Sequence, residues 1–590
     1  MSQSRSSSRW ATGAAFSLCV ITVTAATGAT CGGTSTKPGS TAEQSSGDGA
    51  QTPSSEGARA EFHLYSFARV AGTIAPCGCT TEPLGGLQYA FGYIETSSSE
   101  NNRLVLEPGS FLFPEKDGPY WPEDEAAWEQ ARDRAKLLHD RFSALGGALV
   151  SGIGPTDVVS PDGVAPLTSF GMPRVAANVT LPAPAKAVAL PPHRIVELTD
   201  HGVTWKVGIT AVVDPSLPGA DDLGTLADPV SAAAGATAAL RDAGAQFTVV
   251  LAQGERAFGE SLVADGTDLV VVAIPHGAER ERVGAPASKI GNTYLLEPGT
   301  QLQTVTELVV SVDAKAGSVP TVSAWDVVPP KSVLTAEIAR VGERIDKFKA
   351  DPDADASFIA NLEAEKARLE AQLGGTAEGP AQGVFEQVKV TCKLPVDDVA
   401  KQALGAYDKR VADQNKKRFT GVKTPAPKDG EAGYTGIEAC SDCHDEAVEF
   451  WETTRHASAY ETLVVDNKQF DLSCVGCHVT GFRKPGGAEV VENTGLVDVQ
   501  CEVCHGPGDL HAEDGGEDTS LIKLEVPAEL CAGECHTEEH SDTFEYEAYL
   551  RDILGPGHGE AKRKLLGDGP TGHDLRAAGL AKAGGKCKKM

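Results

Sequence analysis

Between residues 61 and 330, short apolar runs alternate with stretches whose apolar residues fall at helical spacing. The runs at 62–67, 104–106, 148–150, 207–213, 247–252, 269–273 and 308–312 predict strands, and residues 123–145 and 232–243 predict amphipathic helices. Strands and helices in alternation predict an α/β layered domain over 61–330.

The pattern changes after residue 330. Val333, Leu334, Ile338, Val341, Ile345 and Phe348 repeat at helical spacing, as do Phe358, Ile359, Leu362, Leu369 and Leu373, with Asp351-Pro352-Asp353 between the two sets. This predicts a helical hairpin over 331–375, either a spacer between domains or a dimerising coiled coil. Residues 376–433 read as a connector with a strand at 384–390 and a helix at 395–419. Residues 434–560 hold so few Leu, Ile and Phe that about 120 residues of this kind would bury too little surface to fold unaided. Residues 561–590 read as a flexible tail.

At the other end, Arg5 and Arg9 precede an apolar stretch at 10–26, followed by Gly28-Ala29-Thr30-Cys31. A basic start, a short apolar segment and small residues describe an export signal over 1–31, and hence the periplasmic side of a bacterial envelope. The form resembles a bacterial lipoprotein signal, in which Cys31 becomes a lipid-bearing first residue; the other outcome is plain cleavage near the same place. Residues 32–60, rich in Ser, Thr, Gly and Gln, read as a disordered linker.

Charge removes some classes of function. With 82 acidic and 52 basic residues the 590-residue chain carries a net charge of -30, which speaks against nucleic-acid binding by phosphate neutralisation. Redox partner proteins in the periplasm suit it better. The absence of long apolar runs after the N-terminus excludes a multispanning membrane protein.

Cysteine carries the chemistry. Eight of the 14 cysteines fall in four clusters: Cys440-Ser-Asp-Cys443-His444, Cys474-Val-Gly-Cys477-His478, Cys501-Glu-Val-Cys504-His505 and Cys531-Ala-Gly-Glu-Cys535-His536. Three are C-x-x-C-H and one is C-x-x-x-C-H, the spacing of c-type haem attachment. Two thiols add to the two vinyl groups of one porphyrin, and the next residue delivers its imidazole to the iron. Chance at this composition supplies roughly 0.008 such pentapeptides. A zinc site of paired cysteines or an exported disulfide framework would use the same thiols, but neither explains a histidine after every second cysteine. The motifs predict four haem c groups, with His444, His478, His505 and His536 as proximal ligands. The three methionines, Met1, Met172 and Met590, all lie outside this segment, so the irons are expected to be bis-histidine or five-coordinate. His456, His511, His540, His558 and His573 are five candidates for four distal positions. His456 is expected on a helix at 451–460, and Gly506-Pro507-Gly508 should turn the chain so that His511 faces a different iron.

Read together, Arg455-His456-Ala457, Cys474-Val-Gly-Cys477-His478-Val-Thr-Gly-Phe482 and Val499-Gln-Cys501-Glu-Val-Cys504-His505-Gly-Pro-Gly508 with His511 resemble the multihaem cytochrome c-554 family over roughly 434–560. The resemblance implies stacked haem pairs on a mostly helical, loop-rich scaffold in the periplasm, with distal roles for His456, His511 and His558. The extra residue between Cys531 and Cys535 departs from the family spacing.

The strand order of 61–330, with Cys77-Gly78-Cys79 and Pro83, Gly85, Gly86 and Leu87 after the first strand, resembles calcineurin-like metallophosphoesterases of the 5'-nucleotidase group. Two-metal hydrolysis needs Asp, His and Asn ligands at strand ends. The chain instead has Ser66-Phe67-Ala68-Arg69 at the Asp-x-His position, Glu107-Pro108-Gly109-Ser110 at Gly-Asp, Gly152-Ile153-Gly154-Pro155 at Gly-Asn-His, and Ala252-Gln253-Gly254 at a later histidine; Ile274-Pro275-His276-Gly277 keeps one. The domain is therefore expected to be a noncatalytic scaffold or binding surface, without phosphoesterase activity. Cys77 and Cys79 form a metal or redox pair, a disulfide with each other or with Cys392, or a structural turn, on the loop where open α/β sheets bind ligands.

The expectation is a multidomain chain of α/β plus mostly-α multihaem architecture, an exported c-type cytochrome carrying electrons through about four covalent haems. The alternative is a multihaem oxidoreductase acting on a small nitrogen or sulfur species at a five-coordinate haem.

Overall fold

The computed structural model describes residues 59–76, 80–116, 121–182, 190–275, 284–313, 326–328, 331–350, 356–374, 381–491, 495–537 and 540–585. The export signal with Cys31, the linker up to residue 58, Cys77, Cys79, His276 and Cys587 lie outside the described residues.

The first part runs β1 (Arg59–Ser66), α1 (Leu87–Ser97), β2 (Arg103–Glu107), α2 (Glu125–Ala144), β3 (Ala148–Ser151), α3 (Ala165–Ser169), β4 (Val179–Thr180), β5 (His193–Asp200), β6 (Val203–Val213), β7 (Thr225–Leu226), α4 (Pro229–Asp242), β8 (Phe247–Gln253), α5 (Arg256–Ser261), β9 (Leu269–Ala273), β10 (Ala285–Ile290), β11 (Thr293–Glu297), β12 (Thr304–Asp313), β13 (Asp326–Val328), α6 (Lys331–Lys349), α7 (Ala356–Gly374), β14 (Ala381–Lys389) and α8 (Asp398–Phe419). One six-stranded sheet has the order β13-β14-β12-β1-β2-β3 and a second the order β10-β11-β9-β8-β6-β5. β1, β2 and β3 are mutually parallel, as are β6, β8, β9 and β11, with antiparallel strands at β12 and β5.

Side-chain alternation sets the layers. Phe62 and Leu64 of β1 join Trp205, Val207 and Ile209 of β6 and Val249 and Leu251 of β8 in a core between the sheets. Trp205 ties the sheets together, its ring 5.4 Å from Phe62 and 5.1 Å from Phe247. The opposite face of the first sheet, with Tyr65 and Val105, packs on α1, α2 and α8, and that of the second, with Val250 and Val270, packs around α4. The result is four layers, helix, sheet, sheet, helix.

The layers reach further along the chain than the local pattern indicates. β14 pairs antiparallel with β12 over its whole length, and α8 packs on α1 and α2. Residues 381–419 thus complete the α/β layers rather than connecting domains. The hairpin α6–α7 closes on its own apolar seam, Leu334, Val341, Ile345, Leu362 and Leu369, with Phe348 and Phe358 edge to face at 4.9 Å.

The second part is short helices and turns: α9 (Ile437–Ser441), α10 (Asp445–Glu452), α11 (Ala459–Val465), α12 (Cys501–His505), α13 (Asp509–Glu513), α14 (Ala528–Glu534), α15 (Tyr546–Ile553), α16 (Glu560–Leu566) and α17 (Gly572–Lys582). Its apolar cluster is small, Leu463, Val475, Val479 and Ala488. Instead of one helix over 451–460, the chain breaks after α10, and His456 sits in a tight turn before α11. Residues expected to form a flexible tail are helical to α17, whose first turn is closed by Thr571 and Asp574 bonding reciprocally across the N-terminus. α17 packs on α15, and Gly579 lies against Thr81 of the α/β layers. Among the described residues no helix is long and apolar enough to cross a membrane.

Candidate functional site

Each cysteine cluster lies on a helical turn, which brings its histidine back beside its first cysteine. In the first, the His444 N–H donates to the Cys440 carbonyl at 2.9 Å. The third forms α12 itself, and the second a tight turn over Val475–His478. The fourth has one residue more, yet the His536 N–H donates to the Cys531 carbonyl at 2.8 Å. A wider i to i+5 turn absorbs the insertion, so the histidine N–H still reaches the carbonyl of the first cysteine as in the first cluster. The fourth motif thus keeps the hydrogen bond from histidine to first cysteine across a turn one residue wider.

The imidazoles pair across motifs. The ring centroids of His456 and His536 are 6.3 Å apart, and those of His505 and His558 are 5.9 Å apart. One metal bound on both sides by imidazole nitrogens at ~2 Å holds two ring centroids about 6 Å apart. His511 lies on α13, which packs against α9 of the first motif. Of the remaining candidates, His573 Nδ1 lies 3.1 Å from Asp552 Oδ1 and His540 bonds Thr537 at 2.7 Å.

Backbone carbonyls orient these rings. Nδ1 of His478 donates to Ala459 O at 2.6 Å, Nδ1 of His505 to Lys523 O at 2.5 Å, and Nδ1 of His558 to Ile553 O at 2.8 Å. A carbonyl only accepts, so Nδ1 carries the hydrogen and Nε2 keeps a lone pair, the usual state of a metal-binding imidazole. These carbonyls have no signature in the sequence. Burial holds His456 and His505 below the ordinary imidazole range and, with the neighbouring His456, pushes His536 down to about 4. In these three the shift favours the neutral imidazole, the form a metal ligand requires.

All eight thiols are free. Cys440 shares a hydrogen bond with Cys501, which lowers the Cys501 thiol and, together with burial, pushes the Cys440 thiol up; Cys535 is pushed up in the same way by Cys477. Burial raises Cys504 to about 11, with Cys531 close by. First and third motifs thus adjoin, as do second and fourth. A cleft of about 350 Å³ opens between α9 and α10, walled by Ile437, Trp451, Ala457 and Val497. Free paired thiols, opposed neutral imidazoles and a segment nearly devoid of core fit covalent haem. Among the described residues no group of three or more His, Cys, Asp or Glu side chains is arranged to hold a bare metal ion.

At the carboxyl ends of β1, β2, β3 and β8, where the metallophosphoesterase resemblance points, the loops close on one another. Asp157 accepts the N–H groups of Ser110, Phe111, Leu112 and Gly154 at 2.9–3.1 Å. A Cβ on Gly154 would lie 2.4 Å from Ser110 N, so the two loops can touch only at glycine. Arg69, 2% exposed, spans the sheets to Ile274 O and Glu115, both at 3.0 Å. A guanidinium thus fills the strand end where the resemblance would place metal ligands. A cleft of about 480 Å³ does open nearby, lined by Asp214, Leu217, Glu255, Phe258 and Pro275. Cys392 is disulfide-bonded, its partner lying outside the described residues.

Glu107, fully buried on Ser151 Oγ at 2.9 Å, is pushed up to about 8 by burial and the Asp157 carboxylate. Between its ordinary value of 4.5 and about 8 the unfolded chain ionises this group and the folded chain does not. Its contribution to stability is fully present below that window and falls as pH rises through it, by up to about 1.4 kcal/mol per pH unit. Glu107→Gln is expected to flatten this part of the stability profile, measured by urea unfolding followed through tryptophan fluorescence.

The chain thus joins a four-layer α/β body to a segment built for c-type haem. Residues 439–506 match the family described as cytochrome c554 and c-prime. Cytochrome c-554 of Nitrosomonas europaea is 36% identical over 94 residues, 13% of this chain and 40% of that protein. The chain therefore spans less than half the length of that relative. Among solved structures, reduced cytochrome c554 from the same organism covers 21% of this chain and 84% of its own, at 26% identity and a TM-score of 0.18. The α/β body is similar to the 5'-nucleotidase precursor of Thermus thermophilus, at 17% identity and a TM-score of 0.38, covering 60% of this chain and 59% of the other.

Proposed function

We propose that this chain is an exported electron carrier holding four haem c groups on the thiols of Cys440/Cys443, Cys474/Cys477, Cys501/Cys504 and Cys531/Cys535. The observation that carries the reading is the two pairs of opposed imidazoles, His456 with His536 and His505 with His558, at 6.3 and 5.9 Å. Bound haem c would supply a one-electron iron couple whose potential follows its axial ligands and surroundings.

The chain's own residues fix those surroundings. His444, His478, His505 and His536 would serve as proximal ligands; His456 and His558 would serve opposite His536 and His505, and His511 opposite His444. The carbonyls of Ala459, Lys523 and Ile553 hold three of these imidazoles in one tautomer and orientation. The net charge of -30 favours encounter with basic redox proteins on the periplasmic side of the envelope. The α/β body serves as scaffold. Cys31, if lipidated, would tether the whole to a membrane.

Reductive titration of the haem-loaded chain is expected to take up about four electrons, in steps that reverse on oxidation. A loaded chain that takes up none overturns the reading.

A second reading, oxidoreductase activity on a small nitrogen or sulfur species, is favoured by one observation. Among the described residues no histidine ring stands against His478 or His444 as His456 and His558 stand against their partners. It predicts a high-spin component that binds CO or NO in the unmodified protein.

A further inference from the structure

Gln130 of α2 is 3% exposed, yet both ends of its amide are hydrogen-bonded. Its Nε2 donates to Asp471 Oδ1 at 2.5 Å and to Ser473 Oγ at 3.3 Å. Its Oε1 accepts Leu472 N and Asn415 Nδ2, both at 3.3 Å. Asn415, itself buried, also donates to Phe470 O at 2.8 Å. One side chain of the α/β body therefore grips the loop from Phe470 to Ser473, which leads directly into Cys474. Flanking contacts repeat the theme: Arg483 pairs with Asp124 at 2.5 Å and lies 5.1 Å over Phe419, and Lys468 pairs with Asp408 at 3.3 Å. A fully satisfied buried amide rigidifies what it bonds, and leaving one member unpaired is costly.

We infer that Gln130 is a positioning residue for the second haem-attachment site, so that the α/β body forms one wall of the site that ends in His478. This rests on the proposed haem loading of Cys474 and Cys477. The body would then set the environment of that haem rather than merely carry the cytochrome segment.

The test uses the full-length, haem-loaded chain. Gln130→Glu places a carboxylate against Asp471, and like charges held together in a buried site repel. Pairing it with Asp471→Asn exchanges acid and amide across the contact; the introduced amide can donate to the introduced carboxylate, which still accepts from Leu472 N and Asn415, with the Ser473 hydroxyl now donating, while the Ser473 N–H gives up the acceptor it has in Asp471 Oδ1 at 2.9 Å. Arg410→Ala, which removes the exposed Arg410–Asp133 ion pair between α8 and α2, is the control. In Gln130→Glu, amide exchange at Leu472 is expected to quicken by about tenfold or more, and one component of the potentiometric titration to shift while the others hold. The double variant should move both back toward the unmodified values, and Arg410→Ala should change neither. Unaltered midpoints in Gln130→Glu despite faster exchange at Leu472, or a shift of all components together, would overturn the inference. Peptide mapping of the unmodified chain separates the two claims: absence of haem on the Cys474–Cys477 peptide contradicts the haem reading itself.

Discussion

Chain made without haem is expected to lose the second half of its fold and keep the first. Between residues 434 and 560 the buried apolar side chains are few, Leu463, Val475, Val479, Ala488, Val490, Ala548, Leu550 and Leu554 among the described residues. The α/β body, by contrast, has continuous apolar cores on both sides of each sheet. Ordering a residue costs on the order of 1–2 kcal/mol of backbone entropy, and so small a cluster cannot offset that over the whole segment. The second attachment site lies in that cluster, with Cys474 and Phe482 packed against it. Hydrogen exchange should show amides of the cytochrome segment exchanging on the order of a thousandfold faster in the haem-free chain. Those of β6, β8 and β9 should keep their protection. Equal protection with and without haem would contradict the account.

Removing a distal imidazole should change the spin state of one haem and leave the rest alone. His456→Ala and His558→Ala each take away one ring of an opposed pair. Each is expected to turn about a quarter of the haem from low to high spin, with CO binding to that fraction. His540→Ala and His573→Ala should leave the spectrum unaltered, because their rings bond Thr537 and Asp552. Electron paramagnetic resonance on the four variants makes the comparison. No high-spin signal from either His456→Ala or His558→Ala would break the link between the observed ring pairs and iron ligation.

The four cysteine clusters stand out in the chain because each is a contiguous run of residues, the form that haem-attachment chemistry requires. Their pairing does not. His456 follows the first motif in sequence but faces His536 of the fourth, a contact that depends on how the turns pack. The strands β8 and β9 and residues 207–213 of β6 were legible because each is buried on both faces and reads as a largely apolar run. β5 escaped notice: it is an edge strand whose exposed positions, Arg194, Glu197 and Thr199, interrupt the pattern. Membership of β14 in the first sheet is a long-range pairing with β12 that no local pattern encodes. The helical tail could have been read from Thr571 and Asp574, a capping pair ahead of Leu575 and Leu580.

The residues at the strand ends were legible one by one, but their contacts were not: Arg69 reaches Ile274 O, and Asp157 gathers the N–H groups of two loops. Gln130 belongs to the same class of hidden feature. In the sequence it is one polar residue on an amphipathic helix, and its burial follows only once α8 and the 470–473 loop cover it.

The most direct test of the central claim is intact mass with peptide mapping, joined to a pyridine haemochrome assay, on chain produced with the c-type maturation machinery. The account predicts four haems, one on each of the Cys440–Cys443, Cys474–Cys477, Cys501–Cys504 and Cys531–Cys535 peptides. Thiols found paired as disulfides, or holding zinc in place of haem, would contradict it.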